Sequence, residues 1–553
     1  MELVTDDSEH LISRSEIARH AGVRRPAVTN WERRHSDYPR PVRVGNDELF
    51  HAEDVANWLS RRTVPANALA SDEEAETTYG DRFRRSAGLL TADDVPDSAL
   101  SGRVAQALLG RPAEPWQRTG QWHTYLELLL SLVFVRGCVP DTWPSVVNDV
   151  LTTHGLGRRL SRAVTEVVGS GTEGLLARTD RPFSDAELLS LDRACRILDE
   201  VVGTVQAGDT FERLLQAETE RIGKRGEQLV TPPSLRRLMV ELAAQGHSPT
   251  SVYDPFCRSG ELLTEFGRRQ RAAAPYTARA VTPNEQHRRI AAMNLKLHGI
   301  QAHTAIDMSL PGNPHRVERH QHDLVLTNPP FSMRSPVLAP FASESWPFGA
   351  PPERNADLGW IQHAVASLTP DGRAIVVMAN GAAFRGGREQ AIRAGLLEAG
   401  AVEGIISLPA GLFSTTGIGV CLWILRRPGG GPPPDVLFID AREAGEMETR
   451  TLRVLTETDV SGLAEEYRTW LSDPQAFTGG RTSRWSSRRA TFTEISGADF
   501  SLDPTRFLQP ADEVPDSTEI AGQLDRIRDE LTRLHLRAAE VDTRISRLLN
   551  GMS

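Results

Sequence analysis

The sequence predicts a multidomain protein organised around an α/β domain with a mainly parallel sheet. Its 553 residues exceed what one compact unit normally holds, since domains average about 150 residues. From about residue 226, short β-rich runs alternate with helical segments, which is typical of α/β domains. The final segment carries apolar residues at alternating steps of four and three, which predicts a coiled-coil helix.

Composition and charge exclude several classes of protein. The chain has 63 Lys and Arg against 73 Asp and Glu, a formal charge of -10, so binding to nucleic acid must use local basic patches. No apolar run is long enough to span a bilayer, and the N-terminal MELVTDDSEH lacks the regions of a signal peptide. We therefore expect a cytoplasmic protein. A reducing compartment also suits the scattered cysteines, which form no CxxC pair: Cys138, Cys195, Cys257 and Cys421.

Residues 1–62 predict a helix-turn-helix head. Ser13 can cap a helix in SRSEIARHAG, Gly22 can end it, and RRPAVTNWERR begins a second helix after a short turn. With the wing-like segment that follows, this pattern resembles the DNA-binding modules of MerR-like and excisionase-like proteins. A structural helix pair without DNA contact is the alternative. Under the DNA-binding hypothesis, the groove-facing residues are Arg24, Arg25, Thr29 and Asn30.

The next two segments carry no identifiable chemistry. Residues 63–99 form a predicted linker, because much of this segment is rich in Ala, Ser, Thr, Asp and Glu with little apolar periodicity. Residues 100–225 contain apolar stretches such as TYLELLLSLVFV between Pro and Gly, which predicts a helical bundle domain. The α/β domain then spans residues 226–510, and its functional loops are expected at the carboxyl ends of strands.

Residues 511–553 predict a C-terminal helix with a continuous apolar seam. Charged residues such as Asp525 and Arg533 stand between the seam positions, which fits an a/d heptad. Such a seam needs a partner surface, which is either another protein or another part of this chain. The seam consists of Ile520, Leu524, Ile527, Leu531, Leu534, Ala538, Val541, Ile545 and Leu548.

The segment Asn328-Pro329-Pro330-Phe331 carries the most specific chemistry in the chain. It follows the apolar run Leu324-Val325-Leu326, so it is expected at a strand end. The Asn328 side-chain oxygen and a proline carbonyl can accept hydrogen bonds from the amino group of a flat ring, while Phe331 can stack on the ring face. These acceptors would stabilise positive charge that grows on an amine nitrogen during methylation. The alternative is a strand followed by an ordinary proline turn.

From about residue 226 to 508, the chain resembles the modification subunits of type I restriction-modification systems, which are γ-type N6-adenine DNA methyltransferases. The resemblance is carried by motifs in the family's order: EQLVTPPSLRRLMVEL, DPFCRSGELL, AAMNLKLHGI, HDLVLTNPPF and IISLPAGLFSTTGIGVCLWIL. It implies a Rossmann-like methyltransferase domain that uses S-adenosylmethionine to methylate an adenine flipped out of double-stranded DNA. It also implies a specificity subunit or a second copy held by the C-terminal helix, with a restriction subunit as a further candidate partner.

The resemblance also implies site residues. The target base is expected at Asn328, Pro329, Pro330 and Phe331. The cofactor is expected at Thr231, Asp254, Pro255, Ser259, Gly260 and Asp307, with Asp307 near the cofactor's adenine.

Two positions depart from the family pattern. Arg258 stands where the cofactor loop normally has a glycine, so a side chain replaces the space and backbone freedom that glycine gives. It either fills cofactor space or pairs with the cofactor's carboxylate. Thr282 stands at the position of the ribose-binding acid and cannot offer carboxylate acceptors. Glu285 is a possible substitute, or only a favourable charge in the first turn of a helix.

These departures leave three hypotheses. The first is an active DNA adenine methyltransferase, and the second is a catalytically impaired relative that serves DNA binding or complex assembly. The third makes the N-terminal head dominant, as in a transcriptional regulator.

Other candidate motifs predict ordinary roles. His287, His298 and His303 form no metal-ligand set with nearby acids, so we predict no metal site. The pair Gly386-Gly387 lacks the Lys-Ser/Thr of a phosphate loop. A cluster around Trp485 is expected either to meet phosphates or to form a solvated loop, and it contains Arg481, Arg484, Arg488 and Arg489.

Overall fold

A computed structural model describes most of the chain, and the statements below refer to the residues it describes. These are residues 11–35, 37–44, 47–65, 77–80, 82–83, 97–150, 156–169, 183–199, 203–222, 230–245, 249–270, 275–307, 320–333, 346–508, 525–535 and 537. The chain divides into two compact units, one from Met1–Tyr125 and Phe183–Thr210, the other from Leu126–Pro182 and Phe211–Ser553. This division passes through the predicted segment 100–225, whose standing as a separate domain stays a prediction.

The first unit begins with a small sheet and three helices. Strands β1 (Leu11–Ile12), β2 (Val42–Val44) and β3 (Asp47–His51) form an antiparallel sheet in the order β1-β3-β2. Ser13 closes a capping box with Glu16 at the start of the first helix, and Gly22, with φ +66°, follows the C-cap Ala21 at its end. The helices are Arg14–His20, Arg25–Arg34 and Ala52–Leu59, and they enclose a small apolar core.

The remainder of the first unit is helical. The Trp116 indole N–H donates to Ser190 Oγ at 2.9 Å, and the Tyr125 hydroxyl donates to the Leu108 carbonyl at 2.8 Å. Both bonds satisfy polar groups that are buried with large aromatic rings. The helices are Asp97–Leu109, Glu114–Arg118 and Asp185–Asp199.

The helix Trp122–Cys138 is strongly apolar, and its residues Leu128–Val135 are buried. No single described helix is long and apolar enough to cross a bilayer. Trp122–Cys138 and Pro140–Asn148 meet that criterion only when joined, and the chain bends by 113° between them.

The second unit contains a large mixed sheet. Its order is β14-β11-β9-β10-β8-β7-β4-β5-β6, and all its strands except β10 and β14 run in the same direction. The predicted α/β class is therefore confirmed. The strands are β4 (Ser251–Asp254), β5 (Thr277–Thr282), β6 (Ala302–Ile306), β7 (His322–Thr327), β8 (Leu368–Ala379), β9 (Val402–Ser407), β10 (Val420–Arg426), β11 (Val436–Asp440) and β14 (Ser486–Ala490), with a separate pair β12 (Glu446–Met447) and β13 (Arg453–Val454).

Helices cover both faces of this sheet. Neighbouring strand residues alternate between two apolar cores: Leu324 joins one and Val325 the other, as period-two strand geometry requires. Burial on both faces explains why the strands are continuous apolar runs in the sequence. The helices that lie wholly in this unit are Trp143–Val150, Leu156–Val168, Pro233–Ala243, Glu261–Gln270, Glu285–Leu297, Asp357–Ser367, Arg388–Glu398, Glu457–Ser472, Phe492–Gly497 and Thr505–Leu508, and the helix Gly203–Ile222 belongs to it from Phe211 onward.

The C-terminal seam is described only in part. Residues 525–535 are helical, and the seam members Ile527, Leu531 and Leu534 are 56%, 52% and 56% exposed. The coiled coil stays a prediction, because the other seam positions lie outside the described residues: Ile520, Leu524, Ala538, Val541, Ile545 and Leu548.

Candidate active site at the carboxyl edge of the sheet

The two predicted motifs lie side by side at the carboxyl edge of the sheet. Strands β4 and β7 are parallel neighbours, with Val252 opposite Leu324. Asp254 ends β4 and Thr327 ends β7, and the Thr327 hydroxyl donates to Asp254 Oδ1 at 2.8 Å. The loop after β4 and the segment that begins at Asn328 therefore leave the sheet at one place, as expected for parallel strands.

A buried chain of hydrogen bonds orients the Asn328 side chain. Its Nδ2 donates to Thr231 Oγ1 at 3.1 Å. The Thr231 hydroxyl and backbone N–H both donate to Glu261 Oε1, at 2.8 and 3.0 Å, and Ser259 Oγ donates to Glu261 Oε2 at 2.7 Å. All four side chains are buried. Because Nδ2 is committed to Thr231, Oδ1 is the branch of the Asn328 amide that remains as an acceptor.

Arg258 links the loop after β4 to Asn328. Its Nη1 donates to the Asn328 main-chain carbonyl at 2.9 Å, and its guanidinium lies 4.8 Å from the centre of the Phe256 ring. The side chain is 7% exposed. The substitution for glycine thus places a buried cation between the predicted cofactor loop and the predicted catalytic segment.

The loop carries buried negative charge. Burial, reinforced by the nearby Glu261 carboxylate, raises the pKa of Asp254 to about 7, although bonds from Thr327 and the Phe256 N–H and the charge of Arg258 oppose this rise. S-adenosylmethionine carries an ammonium and a sulfonium against one carboxylate, so its net positive charge suits Asp254 and Glu261. Gly260 is required for a different reason: it has φ +78°, and a Cβ there would lie 3.0 Å from the Leu295 side chain of the helix Glu285–Leu297.

Thr282, at the position where the resemblance implies a ribose-binding acid, makes its contacts within the sheet. Thr282 is 1% exposed, and its hydroxyl donates to the Ala305 carbonyl at 3.0 Å. Asp307 follows β6 beside it and donates its N–H to the Thr282 carbonyl at 3.2 Å. Glu285 begins the helix Glu285–Leu297 and pairs with Arg288, so it acts there as a first-turn charge.

The rest of the predicted base-binding segment is partly accessible. Pro329 is buried and Pro330 is half-buried. Phe331 is also half-buried and meets Phe413 edge to face, with ring centres 5.9 Å apart. The next residue, Ser332, has φ +53°, a strained conformation for a residue other than glycine.

Asp357 holds the strained turn after Phe331. Its Oδ1 accepts the Ser332 N–H at 2.7 Å, and its Oδ2 accepts Arg385 Nη1 at 3.0 Å. Asp357 is completely buried, so both of its oxygens are satisfied by this pair of segments.

The remaining predicted residues lie elsewhere. In the first unit, Arg24 precedes the helix Arg25–Arg34, and Arg24, Arg25 and Thr29 are exposed while Asn30 is half-buried. In the second unit, three of the four arginines around Trp485 are engaged in ion pairs, and the fourth, Arg481, is exposed. Arg484 pairs with Asp459, Arg488 with Glu494 and Arg489 with Asp435.

Sequence reasoning missed three residues that build the site. Glu261 begins the helix Glu261–Gln270, and its place directly after Gly260 in the motif DPFCRSGELL is the signal that could have identified it. Asn294 donates to the Ser259 carbonyl at 2.9 Å from the following helix, and the motif AAMNLKLHGI contained it. Asp357 stood in NADLGW without a nearby partner in sequence.

Comparison with known proteins agrees with this geometry. The family model for N-6 DNA methylases matches residues 205–516, more than half of the chain. The type I restriction enzyme HindI methylase subunit of Haemophilus influenzae is 29% identical over 433 residues, covering 76% of this chain and 93% of that protein. The MjaIX methylase subunit of Methanocaldococcus jannaschii is 28% identical over 360 residues, covering 60% and 62%.

A solved structure shows the same fold. The crystal structure of the type I restriction-modification system methyltransferase subunit from Streptococcus thermophilus superposes with a TM-score of 0.55 at 22% identity, covering 74% of this chain and 94% of that one. The sheet, the adjoining motifs and the family match lead to one conclusion: the chain belongs to the N-6 DNA methylase family.

Proposed function

We propose that this chain is the modification subunit of a type I restriction-modification system, an adenine-N6 methyltransferase that acts on double-stranded DNA. The observation that carries the proposal is the buried chain from Glu261 through Thr231 to Asn328, which fixes the catalytic amide beside the loop after β4. S-adenosylmethionine, when bound, supplies a methyl group on a positively charged sulfur.

The residues act by positioning and by stabilising charge. Asn328 Oδ1 and the Pro329 carbonyl accept hydrogen bonds from the target amine, and Phe331 packs against the adenine ring. Because these acceptors are fixed before the reaction, they stabilise positive charge as it develops on the amine nitrogen without reorganising. Asp254 and Glu261 supply the buried negative charge that holds the cationic cofactor.

Transfer of labelled methyl groups to DNA tests this proposal. The full chain, co-expressed with its specificity subunit, should label DNA from a methylation-deficient host. Asn328→Ala should abolish labelling, and Thr231→Val, which removes the acceptor for Asn328 Nδ2 while preserving shape, should lower kcat roughly tenfold to a hundredfold. Thr250→Val is the matched control, because Thr250 precedes β4 at the opposite edge of the sheet. Equal labelling by the wild type and Asn328→Ala would refute the assignment.

A catalytically impaired relative that serves DNA binding or assembly is the second candidate. Arg258 and the inward-facing Thr282 hydroxyl favour it, because both alter the cofactor-binding pattern. Calorimetric titration with S-adenosylmethionine distinguishes the candidates. Binding by the wild type supports the enzyme, whereas binding that appears only in Arg258→Gly supports the impaired form.

The C-terminal seam is the proposed docking element for a specificity subunit or a second copy of the chain, and a restriction subunit completes the proposed complex. The half-exposed Ile527, Leu531 and Leu534 support this role, since an a/d seam is stabilised by a partner helix. A chain truncated before Asp516 should fail to retain the specificity subunit in co-purification. We place this complex in the cytoplasm.

The N-terminal head is proposed to add DNA affinity. Exposed Arg24 and Arg25 at the start of the helix Arg25–Arg34 support phosphate or groove contact. Replacing both by Ala in the full chain should weaken DNA binding and make the slope of log affinity against log salt shallower by about 1 for each phosphate that is no longer neutralised. An unchanged slope would favour a purely structural head.

A further inference from the structure

The exposed apolar side chains of residues 230–508 are concentrated at one edge of the sheet. Among the described residues of this range, the large ones are Ile306, Phe384, Ile418 and Met447, which are 41%, 53%, 55% and 53% exposed. Ile306 ends β6, Phe384 lies beyond β8, Met447 beyond β11, and Ile418 precedes the antiparallel β10. All four therefore lie at the carboxyl edge, where Asn328 lies.

Phe384 is held outward by a rigid turn. It follows the 3₁₀ helix Asn380–Ala383, and its N–H donates to the Gly381 carbonyl at 3.2 Å. The next N–H, of Arg385, donates to the same carbonyl at 3.0 Å. The Ala383 carbonyl accepts from the Leu502 N–H at 2.8 Å, which ties the turn to a distant segment. The exposed Phe384 ring is thus attached to a turn that backbone hydrogen bonds hold in place.

The Phe384 turn is connected directly to the catalytic segment. Ser332, which follows Phe331, donates its N–H to one carboxylate oxygen of the buried Asp357 at 2.7 Å. Arg385, which follows Phe384, donates its Nη1 to the other oxygen at 3.0 Å. On the other side, the Asn380 N–H donates to the Gly419 carbonyl at 3.1 Å, next to Ile418. One carboxylate therefore fixes the position of an exposed phenyl ring relative to the base-binding segment.

Binding of double-stranded DNA would explain why an apolar side chain is exposed beside the catalytic segment. An enzyme that acts on the amine of a paired adenine must extrude that base, which costs stacking energy and leaves a gap in the duplex. Apolar side chains that enter between base steps offset such losses, and aromatic rings stack on any base. Phe384 is the aromatic member of the exposed set, and the exposed Arg388 lies four residues further on, suited to a phosphate.

We propose that Phe384, flanked by Ile418, is the wedge that occupies the gap left in the DNA duplex by the flipped adenine. This inference rests on the proposed function, because the gap arises only where the chain flips an adenine out of the duplex. Asp357 is then a positioning residue: it sets the spacing between the wedge and the segment that receives the base.

A binding ratio tests the wedge without requiring methyl transfer. The full chain is titrated with a duplex carrying one abasic nucleotide opposite thymine and with the same duplex fully paired. The wild type should prefer the abasic duplex, whose gap needs no extrusion. Phe384→Ala should lose roughly tenfold or more of that preference, the range that loss of one base–aromatic stack produces. Phe384→Trp should retain it.

Met447→Ala is the matched control, since Met447 is equally exposed at the same edge but lies outside the Asp357 connection. It should keep the wild-type ratio. A wild type without preference for the abasic duplex, or a Phe384→Ala variant with an unchanged ratio, would overturn the wedge. The wedge would also be overturned if Phe384→Ala kept the preference for the abasic duplex but no longer bound the specificity subunit, because the surface around Phe384 would then be a protein interface. Failure of methyl transfer would affect the proposed function alone, since the ratio does not depend on it.

Discussion

The buried carboxylate of Asp254 allows a test that needs neither DNA nor a partner. It is 1% exposed, and burial, reinforced by Glu261, raises its pKa from 3.8 to about 7. Where Asp254 is ionised, a shift of this size lowers the stability of the folded protein by on the order of 4 kcal/mol, at about 1.4 kcal/mol per pKa unit. The charge that the proposed cofactor site would offer a cation thus costs stability in the protein alone.

Asp254→Asn removes the charge and preserves the geometry. The bonds from Thr327 Oγ1 and the Phe256 N–H, at 2.8 and 3.1 Å, both end on Oδ1, and an amide oxygen accepts both. Between about pH 4 and 7 the folded wild type retains a proton that the unfolded chain releases, so its stability falls as the pH rises. The variant lacks this decline. Its advantage should be near zero at about pH 4 and reach a plateau of about 4 kcal/mol above pH 7.

Urea unfolding of both proteins at several pH values measures this advantage. Asp323→Asn is a control of opposite sign: burial opposes ionisation of Asp323, but hydrogen bonds led by those from Thr250 outweigh it and lower its pKa. That variant should be less stable than the wild type at neutral pH, and the deficit should shrink as the pH falls. A pH-independent difference for Asp254→Asn, or a loss of stability at pH 8, would refute the reasoning. We also expect Asp254→Asn to weaken S-adenosylmethionine binding in calorimetry.

Two further predictions concern local strain and acid sensitivity. Ser332→Gly should raise the free energy of unfolding by about 1 kcal/mol, because Ser332 has φ +53° and glycine adopts this conformation without strain; an unchanged or lowered melting temperature would contradict this. Burial lowers the pKa of His363 to about 4, so the wild type loses stability as the pH falls below about 6.5. His363→Gln, which keeps a partner for the Tyr253 hydroxyl, should remove about 2 kcal/mol of that loss between pH 7 and pH 4.5, and urea unfolding at these two pH values checks it.

Local sequence determined the elements and the type of chemistry. The run Leu324–Leu326 predicted a buried strand, and its end placed Asn328 at the edge where parallel strands hold ligands. The motifs around Asp254 and Asn328 indicated a methyltransferase through their resemblance to the motifs of a known family, and such short segments can be read directly from the sequence. Arg258 was also recognisable as a departure from the family motif, since glycine at that position provides space and backbone freedom that a side chain removes.

Tertiary structure alone decided which groups meet. Asn328 contacts Thr231 across 97 residues of sequence, and Arg258 contacts the Asn328 carbonyl across 70. These pairings depend on the order of strands in the sheet, which apolar periodicity does not encode because every buried strand has the same pattern. The exposure of Phe384 is likewise a property of the assembled edge. An apolar residue is expected inside, and only the packed fold shows that this one faces solvent beside the catalytic segment.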